Sequence, residues 1–228
     1  LLAGLPISRR TNAYLFVSLL FIPPAFIAIL QMKYSTLEKG LIFTTVTVFL
    51  LITGYFVANF VAEKPFERMQ LIVKAYIFAA VGAALIGTLA YLGLMPGKEL
   101  FLRYGRAKAF FKDPNVFGPF LILPAAYLVQ RVFLGDQRKT LVNLVLVGII
   151  FVGVFVSFSR AAWGHLLLTT FLVFVLNYML EATGRERIRM VFLAASGFVA
   201  LIVMLCGLLM IPDVADLFLQ RASLVQSY

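Results

Sequence analysis

The chain has 228 residues, of which 62% are apolar or aromatic and 13% charged, and its mean hydropathy is +0.99. A soluble domain averages about 45–50% apolar and about 25% charged, and a globule this small has too little interior for the excess. Soluble, disordered and disulfide-scaffold classes are thereby excluded, and the expected fold is an all-α, polytopic transmembrane helical bundle.

Seven apolar runs approach the roughly 20 residues a helix needs to cross a bilayer. They are Ala13–Met32, Leu41–Ala62, Leu71–Met95, Val116–Leu134, Leu141–Phe158, Ala161–Leu180 and Val191–Ile211. The residues 1–228 read as one transmembrane domain, a piece of a longer protein, with a basic loop at 96–115 and the start of a truncated loop at 213–228. Pro23 and Pro24 are expected to kink the first run, since proline removes a backbone donor and clashes one turn back. Ala79, Ala83 and Gly87, four residues apart in the third, form a small-residue ridge on which another helix can pack closely. The single cysteine, Cys206, leaves no disulfide or thiolate metal site within the chain.

The net charge of +10 comes from cations in the gaps between apolar runs. In that position they set topology and meet anionic lipid rather than nucleic acid. With the N-terminus in the cytoplasm, the inner gaps carry Arg9, Arg10, Lys64, Arg68, Arg131, Arg138, Lys139, Arg185, Arg187 and Arg189. The outer gaps carry Lys33, Lys39, Lys98, Arg103, Arg106, Lys108, Lys112, Arg160 and Arg221. Five of these nine lie in the single stretch Pro96–Asn115, an exception to the positive-inside rule that is expected to be kept on the far side for a purpose.

Two places can carry chemistry. In the first, Arg103, Arg106, Lys108 and Lys112 alternate with Tyr104, Phe110 and Phe111 ahead of Asp113-Pro114-Asn115. Rings settle among headgroups while Arg and Lys offer donors to phosphate oxygens, and Asp or Asn can cap the helix that follows. The same composition also suits a solvated juxtamembrane loop that meets anionic lipid. In the second, Arg160 interrupts some forty apolar residues within Ser157-Phe-Ser159-Arg160-Ala-Ala-Trp163. Arginine at bilayer depth costs about 2.5–3.5 kcal/mol on insertion scales, so it faces a partner or a wet cavity, or marks a turn from which it snorkels. Two cationic sites on one face suggest an anionic ligand such as a phosphate or diphosphate. His165, the one histidine, is expected to be a hydrogen-bonded bundle residue rather than a catalyst. No metal-ligand motif, P-loop or Gly-rich dinucleotide fingerprint occurs, so no metal or cofactor is expected.

At these two places the chain resembles the O-antigen ligase and O-antigen polymerase superfamily of bacterial envelope proteins. Arg106 precedes the span-opening pair Pro114-Asn115, and Ser159-Arg160-Ala-Ala opens a later span. The likeness covers about Gly97 to Tyr228, and departs where the family usually has Gly in place of Ala109 and Gly-Asn in place of Lys112-Asp113. The resemblance implies a multi-pass protein of the bacterial inner membrane, a metal-independent inverting glycosyltransferase with its active face periplasmic. The implied donor is a glycan on undecaprenyl diphosphate and the implied acceptor a lipid A core or glycan hydroxyl, as in lipopolysaccharide or exopolysaccharide synthesis. Arg106 and Arg160 match the arginines thought to hold the donor diphosphate; Arg103, Lys108, Lys112, Asn115, Ser159 and Arg221 are candidate substrate contacts. The base is expected in a loop beyond Tyr228. The rival reading is a transporter or flippase for an anionic lipid-linked or small solute, which would also place cations near a cavity.

Overall fold

A computed structural model describes residues 8–31 and 37–222. The architecture is all-α, with six helices among the described residues long and apolar enough to cross a membrane. The chain divides into two compact units, Leu1–Lys74 and Ala75–Tyr228.

In the first unit, α1 (Asn12–Leu30) continues through Pro23 and Pro24, and α2 (Leu37–Glu63) packs against it. Tyr14 stacks on Tyr55 and donates its hydroxyl to the Leu51 carbonyl at 3.2 Å. Near the start of α1, Asn59 Oδ1 accepts from Thr11 Oγ1 and from Ser8 N, each at 2.9 Å. A polar knot of this kind keeps buried groups satisfied where an apolar contact would not.

Helix α3 (Pro65–Tyr91) starts six residues before the expected span because Pro65 serves as its first residue, a position where the missing N–H costs nothing. In the second unit its buried face is Ala80, Ala83, Ala84, Gly87 and Ala90. The close-packing ridge therefore contains Ala83 and Gly87 as expected, while Ala79 is exposed. The expected Val116–Leu134 span is two helices, α4 (Pro114–Phe120) and α5 (Ile122–Leu134), joined at Leu121. Pro124 cannot donate to the Phe120 carbonyl one turn back; the Tyr76 hydroxyl donates to it instead, at 2.7 Å.

Helix α6 (Thr140–Val156) has 17 residues, about 25 Å at 1.5 Å per residue, and ends short of the expected Phe158. Helix α7 (Arg160–Leu176) runs on into a π-helical turn, Asn177–Glu181. Helix α8 (Gly184–Leu209) begins before the expected Val191 because Thr183 and Glu186 form a capping box. Residues expected to open a loop instead form α9 (Pro212–Ala222), whose Val214 is fully buried. Its apolar side residues Leu217 and Phe218 pack on the main core, which is what holds so short a helix; residues 223–228 lie outside the described ones. That core gathers Ala80, Ala84, Phe117, Leu121, Ile150, Val154, Phe158 and Ala162.

Candidate functional site

The basic stretch 96–115 is folded rather than a plain loop. A 3₁₀ turn at Lys98–Phe101 leads into a hairpin of β1 (Leu102–Arg103) and β2 (Arg106–Ala107), with Arg103 paired to Arg106. Its two turn residues, Tyr104 and Gly105, both have positive φ (54° and 68°), the backbone that matches a two-residue turn to the twist of its strands. Both residues of β2 are buried, Arg106 at 5% exposure and Ala107 completely.

Ser157 and Asn115 both hold the buried guanidinium. Nε donates to the Ser157 carbonyl at 2.9 Å and Nη2 to Asn115 Oδ1 at 3.0 Å. Asn115 is placed by the start of α4, where Asp113 is the N-cap and accepts from the Asn115 amide at 2.8 Å. Ser157 is the C-cap of α6, so a helix-end carbonyl and a side-chain amide fix the plane of the fork.

Three residues after Ser157, Arg160 is the exposed first residue of α7. The intervening Phe158 is buried at φ 46°, a left-handed backbone disfavoured for any residue with a Cβ. This reversal turns the chain from α6 into α7 within three residues. Arg106 thus bonds to Ser157, three residues before Arg160 in the chain. The first turn of α7 contains no acid, although that end of a helix favours negative charge.

Helices α4 and α7 approach very closely beside this corner. A methyl on Gly118 would lie 2.6 Å from Ala162 Cβ and 2.9 Å from Ser157 Oγ, so only glycine permits the approach. Ala109 sits at φ 47°, a conformation natural to glycine.

The other expected contacts separate into two groups. Arg103 donates to the Lys112 carbonyl at 2.9 Å and to the Tyr104 hydroxyl at 3.2 Å, with Asp113 Oδ2 at 4.0 Å. Lys108 Nζ donates to the Leu100 carbonyl at 2.7 Å, and Lys112 is exposed. These residues brace or decorate the hairpin loop. Ser159 is buried, and its hydroxyl caps α7 by accepting from the Ala162 amide at 3.4 Å. Arg221 belongs to α9, and its side chain is outside the described residues. His165, expected inside the bundle, is exposed on α7.

An aromatic cluster that sequence reasoning missed lies against the same corner. Trp163 Nε1 is 3.3 Å from both the Val154 and the Phe155 carbonyl, the last-turn acceptors of α6. The Trp163 ring stacks on Phe155, with centroids 5.7 Å apart and planes 15° apart, and meets Phe218 of α9 at 5.6 Å. The only early signal was the aromatic content of Ser157–Trp163. A cavity of about 380 Å³ lies between the end of α3, the hairpin and α9, lined by Tyr91, Leu102, Gly105, Val214 and Leu217 among others.

No family model matches the chain, and searches of curated proteins and of solved structures also return no match.

Proposed function

We propose that the chain contains the donor-binding part of a membrane glycosyltransferase of the O-antigen ligase or polysaccharide polymerase type. It would act without a metal at the periplasmic face of the bacterial inner membrane. The observation that carries this reading is the Arg106–Ser157 hydrogen bond, which seats a buried guanidinium on the corner whose next helix opens with Arg160.

In an inverting transfer the acceptor hydroxyl attacks the anomeric carbon of the donor glycan. The bond to the bridging phosphate oxygen breaks, and undecaprenyl diphosphate leaves with the electron pair. Diphosphate is a good leaving group, so the chief demand is for positive charge near that oxygen as its own charge grows. Fixed guanidinium groups at a low-dielectric boundary meet that demand with little reorganisation. Arg106, oriented by Asn115 and Ser157, would hold the diphosphate, and Arg160 at the opening of α7 would complete its neutralisation. The acceptor proton goes to a base, a role assigned to no residue of this chain.

Membranes carrying Arg106→Ala or Arg160→Ala are expected to lose transfer from undecaprenyl-diphosphate glycan by at least about a hundredfold, the scale of removing one charge-stabilising donor. Protein level should be unchanged. Normal surface polysaccharide in both variants would end the reading. Copurified polyprenyl-diphosphate glycan without transfer would move the assignment to a carrier of anionic lipid.

A further inference from the structure

We propose that Trp163 and Phe218 are positioning residues for the arginine corner. The ring stack by which α9 clasps the α6–α7 junction fixes where the Ser157 carbonyl and Arg160 are presented. The inference rests on the anion-binding reading above.

The corner is held in a backbone state it would not adopt alone. Phe158, at φ 46°, is 1% exposed, and its ring lies 5.5 Å from that of Tyr91 and 6.1 Å from that of Trp163. A residue in so disfavoured a region persists when its surroundings over-determine it. Here those surroundings are rings from three segments, Tyr91 at the end of α3, Phe155 near the end of α6 and Trp163 in the first turn of α7. Phe218 of α9 meets the last two of these rings in turn.

Trp163 makes the central contacts. Its indole N–H reaches the final carbonyls of α6, so α7 is tied to the helix before it across the reversal. Phe155 covers one ring contact and Phe218 another, and Phe218 also lies 6.0 Å from Phe155. Offset and tilted ring pairs of this kind have preferred geometries, so they fix orientation as well as burying area. Leu217, the neighbour of Phe218, lies 3.7 Å from where a Gly105 side chain would begin. Helix α9 therefore touches both the hairpin that bears Arg106 and the junction that bears Arg160. In this reading the rings act through the backbone they hold and not on the diphosphate. Their effect is on the separation and aim of two guanidinium groups, and small misplacements at such sites are costly.

The test uses the purified full chain in phosphatidylethanolamine–phosphatidylglycerol nanodiscs, with inorganic diphosphate as probe. Trp163 is the one tryptophan, so its emission reports directly on the stack. Phe218→Ala and Phe218→Leu are expected to red-shift that emission and to weaken diphosphate affinity about tenfold, roughly a 1.4 kcal/mol change. Phe218→Tyr, which keeps the ring, should restore affinity to within about twofold. Leu219→Ala, at an exposed position on the same helix, should behave as wild type. Affinity is referred to folded protein, because a merely structural ring would lower the melting temperature and leave the affinity of folded molecules alone. If Phe218→Ala is not recovered folded, Phe218→Leu decides. Wild-type affinity in Phe218→Leu with shifted emission would overturn the inference, while the functional reading stands if Arg106→Ala has lost binding. If wild type and Arg106→Ala are equally inert toward diphosphate, the functional reading fails and this inference with it.

Discussion

Two arginines of the second unit, one near each end of α6, are both held by helix-end groups, yet they read differently. Arg189 of α8 donates to the Val132 carbonyl at 3.1 Å, the Gly135 carbonyl at 3.4 Å and Thr140 Oγ1 at 2.8 Å. It thereby satisfies the closing carbonyls of α5, and a cation is welcome at that end of a helix. Arg106 takes one helix-end carbonyl, from Ser157, but its fork also reaches Asn115 at the opening of α4, beside the corner where α7 opens on Arg160. Helix openings favour negative charge. In both cases a helix-end carbonyl is joined by a side chain at a helix opening, Thr140 of α6 for Arg189 and Asn115 of α4 for Arg106. Under the proposed function it is the neighbouring corner with Arg160, rather than burial or the kind of partner, that sets Arg106 apart from Arg189.

Substitution at the two arginines breaks that comparison most strongly. Arg106→Ala should reduce glycan transfer by at least about a hundredfold, and Arg106→Lys should recover only part of it because a point charge cannot reproduce the fork. Arg189→Ala should leave transfer per folded molecule unchanged, a contrast that parallel transfer assays on the two variants would check. Equal losses in both would erase the distinction.

Next in size is Gly118→Ala. Its methyl would collide with Ala162 and Ser157, and overpacking of this kind costs about 1–3 kcal/mol. Thermal unfolding in detergent should show the loss, with transfer falling as α4 is pushed from the corner. Of similar or smaller size is the stability cost of Arg189→Ala, about 1–3 kcal/mol for hydrogen bonds to a charged donor, read from the same unfolding curves. The smallest effect carries the opposite sign. Ala109→Gly should relieve the left-handed backbone at φ 47° and raise stability by up to about 1 kcal/mol, with no loss of transfer.

The membrane helices were legible because hydropathy over some twenty residues is a sum, insensitive to any one position. Their boundaries were less so. Thr183 and Glu186 start α8 well before the apolar run, and the reversal at Phe158 stops α6 early, neither of which hydropathy registers. Arg106 and Arg160 stood out as cations against apolar flanks, but that Ser157 would join them depended on a hairpin of two-residue strands, too short to leave a periodic signal. Ser159 was singled out through the Ser-Arg motif of the resemblance; that its hydroxyl would also cap α7 at the Ala162 amide was not legible from that motif. Helix α9 was missed because a charged, 11-residue segment has little helical tendency of its own and takes its order from Val214, Leu217 and Phe218 meeting the core.

The contact at Gly118 has an evolutionary consequence. Gly118 and Ala162 occupy what is in effect one shared volume, with Ser157 as its third wall. Neither position can gain bulk unless the other gives it up, and Ala162 can yield only one carbon. Among natural variants of this chain the pair should drift together within a narrow size limit, and a library randomising both codons should return almost nothing beyond Gly–Ala, Ala–Gly and Gly–Gly.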